Sequence, residues 1–253
     1  MNAYLDNNII VSIENGEISI SDLLDNVDNS ITDFYYSSAH IGEAEEISAD
    51  SETTRNERIN KRLETIDKIT NLNYLYHSLK ENTVIKIKEK PSSVLNTIRD
   101  VPFANQMIKA IINMISEAQR KQIRDILGLD SRRLNNYKPE EVITHLNAKL
   151  KNWEGNLSFL ELIEKGISLH PQGKDFGLHN RIAGIFELLD MLGYWTDKYS
   201  AKSNYARMWD SNHTFFASFC DYFISDDKRT RIKAEVVYKI YEIHTIVISS
   251  KGE

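Results

Sequence analysis

Asp6 sits in the run Ala3-Tyr4-Leu5-Asp6-Asn7-Asn8-Ile9-Ile10, where an acid interrupts a largely apolar stretch. Glu43 follows a second such run, Phe34-Tyr35-Tyr36-Ser37-Ser38-Ala39-His40-Ile41. Toward the other end comes Asp210, and then Asp226 and Asp227, which close the run Asp221-Tyr222-Phe223-Ile224-Ser225. Carboxylate oxygens are the ligands that hard cations such as Mg²⁺ or Mn²⁺ take. A carboxylate just past a buried strand lies at the strand's carboxyl edge, where open α/β sheets place their ligands. Asp6, Glu43, Asp210 and Asp227 are therefore expected to converge in one cleft and hold divalent metal, which activates water for phosphodiester displacement. Asn8 is placed to orient a metal-bound water. His213, one turn after Asp210, could bind phosphate or donate to a carboxylate. Asp226 should point away from Asp227, and Asp221, at the start of its strand, belongs to the far side of the sheet. Taken singly, Asp6 and Asp227 read equally well as helix caps and Glu43 as a solvated helix face. The set at matching strand ends favours the metal reading.

The elements that must position these residues follow from pattern. Residues 2–6 read as a buried strand and 7–14 as a helix capped by Asn7 or Asn8. Ser21 is expected to cap a second short helix. Ile31 to Tyr36 reads as a strand, after which Ser37 or Ser38 caps a helix carrying His40, Glu43, Glu45 and Glu46. Apolar residues at helical spacing (Ile59, Leu63, Ile66, Ile69, Leu72, Leu75) predict a helix reaching to about Leu79. Thr83 to Glu89 reads as a short strand. Met107, Ile108, Ile111, Ile112 and Ile115 form the apolar face of a further helix. Pro139 suits a first helical turn, and Leu157 to Leu169 and Leu178 to Leu192 are amphipathic. Ala206 to Phe219 reads as a helix, 221–225 as a strand, 228–242 as a helix and 244–248 as a last strand. Strands alternating with helices at both ends predict an α/β class with a central parallel sheet. One domain over 1–253 is expected, its sheet core built from 1–48 and 196–253, with a large helical insertion over about 52–195.

Composition narrows the function classes. With 253 residues, 41% hydrophobic and 27% charged, the chain reads as soluble and globular. No run approaches a bilayer-spanning length, and the start does not read as a secretory signal, so no membrane partner and a cytoplasmic location are expected. The single Cys220 offers neither a disulfide nor a multi-cysteine zinc pattern and reads as core. No Gly-rich phosphate loop is present. The net charge of −6 leaves phosphate binding to local patches.

Four segments resemble the PIN-domain nucleases. Tyr4-Leu5-Asp6-Asn7-Asn8-Ile9-Ile10 resembles that family's opening strand, and Ser37-Ser38-Ala39-His40-Ile41-Gly42-Glu43 the segment that supplies its glutamate. Asp210-Ser211-Asn212-His213-Thr214-Phe215-Phe216-Ala217 is similar to its third acidic helix. Asp221 to Lys228 resembles its last acidic strand, with Ser225 in place of threonine and Asp227 as the aspartate. The resemblance implies a PIN-like α/β/α sandwich, a Mg²⁺- or Mn²⁺-dependent site of Asp6, Glu43, Asp210 and Asp227, and endonuclease activity, usually on RNA. It covers 1–48 and 196–253 and leaves the central helices aside.

Lys228, Arg229, Arg231 and Lys233 crowd the helix after Asp227 and could steer a phosphate backbone. Lys86, Lys88 and Lys90 offer a second contact, while Arg120, Lys121, Arg124, Arg132 and Arg133 read as a solvated face. The leading expectation is an endoribonuclease, a toxin or defence effector acting on RNA or single-stranded DNA. A homodimer through the central helices and an inhibitory protein partner are the associations expected. The competing reading is a catalytically silent interaction module. A phosphatase with Asp6 as nucleophile is weaker, because Asn8 stands where a second aspartate is needed.

Overall fold

Strand β1 (Asn2–Leu5) is buried from its second residue onward, and its side chains alternate between two covered faces. Ala3 and Leu5 join an apolar cluster on one side, while Tyr4 faces the other. This is the pattern of a central strand in a sheet packed on both faces. In the computed structural model, which describes residues 1–99, 115–151, 153, 155–169, 177–196 and 198–253, β1 lies inside a six-stranded sheet of order β4-β3-β2-β1-β5-β6. The other strands are β2 (Asp33–Ser37), β3 (Asn73–Ser78), β4 (Thr83–Lys88), β5 (Tyr222–Ile224) and β6 (Ile246–Ile248). All neighbouring pairs are parallel except the antiparallel hairpin β3–β4. Thus the sheet is mixed and mostly parallel, and the class is α/β.

The described residues divide into two compact units. The first comprises 1–102, 213–231 and 244–253 and holds the whole sheet. Its helices are α1 (Asn7–Glu14), α2 (Ile20–Asn26), α3 (Ser38–Glu45), α4 (Glu52–Thr70) and α5 (Pro91–Arg99). Their apolar faces supply Ile9, Ile10, Leu23, Ile41, Ile59, Leu63, Ile66, Val94 and Leu95 to one core with Leu5, Tyr36, Tyr74 and Ile224. Burying a side chain the size of Ile9 contributes about 1.5–3 kcal/mol. In register, Ala3 pairs with Tyr222 and Leu5 with Ile224, so strands more than two hundred positions apart share a face.

The second unit comprises 103–212 and 232–243. It is helical: α6 (Glu117–Leu127), α7 (Ser131–Leu134), α8 (Pro139–Leu150), α9 (Phe159–Ser168) and α10 (Gly177–Leu192). Most of α11 (Ala201–Ala217) and of α12 (Lys228–Ile240) also belongs to it. Gly128 ends α6 with a φ of 60°, a left-handed cap that glycine adopts without strain. Pro139 opens α8. Inside this unit Asp190 accepts from both Arg120 and Arg207 at 2.8 Å, with the Lys233 ammonium 3.5 Å away. All four are at most 3% exposed. Glu187 takes the outer nitrogens of the two arginines at 2.6 and 2.8 Å. Among the described residues no helix is long and apolar enough to cross a membrane.

Several sequence expectations need correction. The stretch 52–195 is not one helical insertion, because α4, β3, β4 and α5 complete the sheet unit. The helix expected to reach Leu79 stops at Thr70, where Asn71 and Leu72 take φ values of 48° and 64°. Tyr74, Leu75 and Tyr76 then run as strand β3. The apolar spacing of Leu72 and Leu75 matched a helix by coincidence, while the aromatic and left-handed signals pointed to a strand. The caps of α1 and α2 are Asp6 and Ser19, each one or two positions before the residues expected. Arg120 is buried and ion-paired, not on a solvated face. The apolar face at Met107, Ile108, Ile111 and Ile112 lies outside the described residues, and Ile115 is 37% exposed.

Candidate active site at the carboxyl edge of the central strands

The sheet reverses direction of travel at β1. From β1 the chain proceeds to β2 and β3 on one side, while β5 and β6 occupy the other. Such a switch point opens a crevice outside the carboxyl ends of the adjacent strands. Asp6 follows β1 directly, and its amide donates to the Ile224 carbonyl of β5 at 2.8 Å. Ser225 follows β5 directly and is completely buried. Two segments from distant parts of the chain are thereby locked side by side.

Three donors fix the Asp6 carboxylate. The Asn7 amide donates to Oδ1 at 2.7 Å, while Asn8 Nδ2 and Ser225 Oγ donate to Oδ2 at 2.7 and 2.5 Å. Asn8 Oδ1 accepts from the Asp226 amide at 3.2 Å, which fixes the Asn8 side chain in turn. Asp6 is 4% exposed. Burial raises its carboxyl above the usual range, the neighbouring Glu43 adds to that, and His213 and Ser225 oppose it. Arg62 of α4 donates to Asn7 Oδ1 and to Glu14, and so ties α1 to the same edge.

Glu43 reaches the edge from α3, whose start is held by Ser37. Its Oε2 lies 2.7 Å from His213 Nε2, and that nitrogen is 4.0 Å from Asp6 Oδ1. His213 therefore stands between the two carboxylates. A carboxylate only accepts when ionised, so Nε2–H donates to Glu43. Nδ1 then accepts from the Tyr4 hydroxyl at 2.8 Å. Tyr4 OH also meets Ser37 Oγ at 2.6 Å, and His40 Nδ1 lies 3.3 Å away. His40 Nε2 donates to the Leu5 carbonyl at 2.7 Å. Burial, with His213 beside it, holds His40 well below the usual histidine range, so it stays neutral. Burial also keeps Tyr4 protonated by raising it well above the usual phenol range. This layer of Tyr4, Ser37 and His40 supports the acids from beneath.

The remaining expected residues take other places. Asp227 Oδ1 accepts from the Arg229 and Thr230 amides at 2.7 and 3.1 Å, the geometry of a cap on α12. Its own amide donates to Ser225 Oγ at 3.2 Å, one bond from Asp6. Asp226 turns away, as expected, and accepts from Ser250 Oγ and the Ser250 amide at 2.9 Å. Asp221 lies at the far edge, where it accepts from the Asn2 amide. Asp210 belongs to the second unit, three positions before His213 on α11. Lys228 and Arg229 are exposed at the start of α12, and Arg231 donates to the Ser225 carbonyl at 2.7 Å. Lys233, expected in the basic strip, is instead 2% exposed beside Asp190. Lys86 reaches Asn2, at the opposite end of β1 from Asp6, so the second basic contact does not serve this edge. Cys220 is core, as expected, its thiol pushed up to about 12 by burial.

Among the described residues no three His, Cys, Asp or Glu side chains stand grouped as a ready cation cage. Magnesium does not require one, since it keeps several waters and takes one or two carboxylates plus substrate phosphate. Asp6 and Glu43, flanking one histidine nitrogen, fit that donor set. Glu43 is the more open acid, with 22% of its side chain exposed. Sequence reasoning named Ser37 or Ser38 as the cap of α3, which is Ser37, and missed Tyr4 and Arg62. The polar Tyr4 hydroxyl on an otherwise apolar strand was the available signal. Comparison with protein families, with curated proteins and with solved structures returns no match for this chain.

Proposed function

We propose that the chain is a metal-dependent nuclease of the PIN-like α/β/α type, cleaving phosphodiester bonds in RNA. The observation that carries this reading is the meeting of Asp6 and Glu43 around His213 at the switch point of a mostly parallel sheet. Mg²⁺ or Mn²⁺ would be held by Asp6 and Glu43, with Asp227, joined to Asp6 through Ser225, as a further acid. When bound, such an ion lowers the pKa of its water and offsets charge on the phosphate. The chain's own residues prepare the site. Asn8, Ser225 and the Asn7 amide hold the Asp6 carboxylate in one rotamer. His213 fixes Glu43 through its Nε2–H and is itself oriented by Tyr4. Lys228 and Arg229 supply exposed positive charge at the start of α12, where backbone phosphates would be steered.

The test is a cleavage screen of RNA and single-stranded DNA with Mn²⁺, with Mg²⁺ and with chelator. Metal-dependent cleavage that disappears in both Asp6→Asn and Glu43→Gln is the expected result. No cleavage by the wild type with either metal, or undiminished cleavage by Asp6→Asn, would sink the reading. The second reading, a catalytically silent interaction module, is favoured by the cap geometry of Asp227 and by the three donors already on Asp6. Calorimetry with Mn²⁺ separates the two, because a silent module binds no ion at Asp6 and Glu43.

A further inference from the structure

A groove of roughly 390 Å³ opens on the sheet unit between the β3–β4 hairpin and α5, within the size range of small-ligand sites. Ser38, Tyr74, Tyr76, Ile87, Glu89 and Val94 are among its walls. Tyr74 and Tyr76 alternate onto one face of β3, their ring centroids 6.5 Å apart, and Ile87 of β4 pairs with Tyr74 in register. Tyr76 is 47% exposed and Ile87 39%, so this face of the hairpin presents apolar surface to solvent.

The groove shares its edge with the acids. Ser37 of β2 pairs with Leu75 of β3, so Tyr76 lies one position beyond the end of β2, on the carboxyl side. Ser38, in the wall, is the first residue of α3, the helix that carries Glu43. His77, next along β3, also lines the groove, and its ring lies 4.8 Å from that of Phe215, two positions after His213. A chain lying across Asp6 and Glu43 would therefore pass the groove's mouth.

The groove's charge selects what part of that chain would enter. Among the described residues lining it, Glu89 is the only acid, and no lysine or arginine is present. Its Oε1 accepts from the Lys90 amide, leaving a carboxylate that repels phosphate and accepts from exocyclic amino groups of bases. Exposed aromatic faces stack on unpaired bases. We infer that this groove is a base-binding subsite that seats an unstacked nucleobase of a single-stranded substrate against Tyr76. The inference rests on the nuclease reading for the strand's position and makes the substrate class single-stranded.

The experiment uses fluorescence anisotropy of a short labelled oligocytidylate, its deoxy counterpart and a duplex, with wild-type protein in chelator so that the probes survive. Single strands are expected to bind more tightly than the duplex, and the ribo and deoxy arms report which sugar is preferred. Tyr76→Ala should weaken single-strand binding about tenfold, and Tyr76→Trp should restore it. Because Tyr76 is half exposed, both variants should unfold like the wild type. Unchanged affinity in Tyr76→Ala, or duplex bound as tightly as single strand, overturns the inference. So does failure of the wild type to bind any strand, which would leave the groove to a protein segment. The two readings fail separately. Metal-dependent cleavage with an unaltered KM in Tyr76→Ala keeps the nuclease and removes the subsite. Tyr76-dependent binding without cleavage in any metal keeps the subsite and removes the nuclease.

Discussion

Asp6 carries two opposed demands. Three donors converge on its carboxylate, which favours the charge, while burial and Glu43 disfavour it, and the net effect is a raised carboxyl. A carboxyl raised in the folded state binds its proton more readily there than in the unfolded chain. The folded state is therefore favoured below the ordinary carboxylate range, and that advantage is lost as pH rises from about 4 toward the folded value. Asp6→Asn does not titrate, but its amide nitrogen cannot accept from Asn8 or Ser225, a loss of about 1–3 kcal/mol. The expected outcome, without metal, is a variant less stable than wild type in acid whose deficit narrows toward neutral pH. Thermal unfolding of both proteins across that range checks this, and a deficit that widens would contradict it. At this scale the sequence disclosed the acids and, in His213, Asn8 and Ser225, several of their partners. Asp6, Glu43 and Asn8 were visible from strand-end placement, and the lone acid in an apolar run was the signal. Tyr4 was not, because a buried hydroxyl is recognised only when its partners, here 33 and 209 positions away, are brought to it.

Helix ends decide what the remaining acids do. Asp227 caps α12 with Oδ1 and is also assigned to the metal set, and one substitution separates the roles. Asp227→Ser keeps a capping oxygen and removes the carboxylate. We expect Asp227→Ser to unfold within about 0.5 kcal/mol of wild type and to lose most metal-dependent cleavage; full activity would reduce Asp227 to a cap. In the second unit, Glu161 closes a capping box with Ser158, and Glu164 pairs with Arg181 at 2.5 Å. Alanine at 161 and 164 should lower stability only slightly and leave the metal concentration needed for cleavage unchanged. A large rise in that concentration would bring these helices into the site. Most elements were legible from pattern because their caps and periods are local: Pro139, Gly128 and the strand alternation at Asp33–Ser37. Strand β3 was not, because Leu72 and Leu75 extend the helical spacing of α4 across the left-handed break at Asn71.

At the scale of the molecule, both units bury apolar residues, and the second adds a buried ionic cluster. The sheet unit centres on an apolar cluster, and the second unit buries Val142, Leu146, Ile185 and Leu189 together with three cations around Asp190. Removing one partner of a buried ionic group costs about 3–5 kcal/mol because the others are left unpaired. Asp190→Ala should therefore unfold the second unit at lower urea while the sheet persists. Trp153, Trp195 and Trp209 all fall within that unit, so tryptophan fluorescence reports it, and far-ultraviolet dichroism reports both. Coincident transitions in the variant would mean that the units unfold together. The two-unit division was hidden from sequence, because apolar periodicity does not state which helix covers which core. The pairing of β1 with β5 has a consequence in time. Ala3 finds Tyr222 only after the ribosome has added more than two hundred further residues, about 10 to 40 s of synthesis. Until then the centre of the future sheet has one open flank, Asp6 lacks Ser225, and Glu43 lacks His213. A nascent chain of this protein therefore completes its acidic edge only once Ser225 has been made and has emerged.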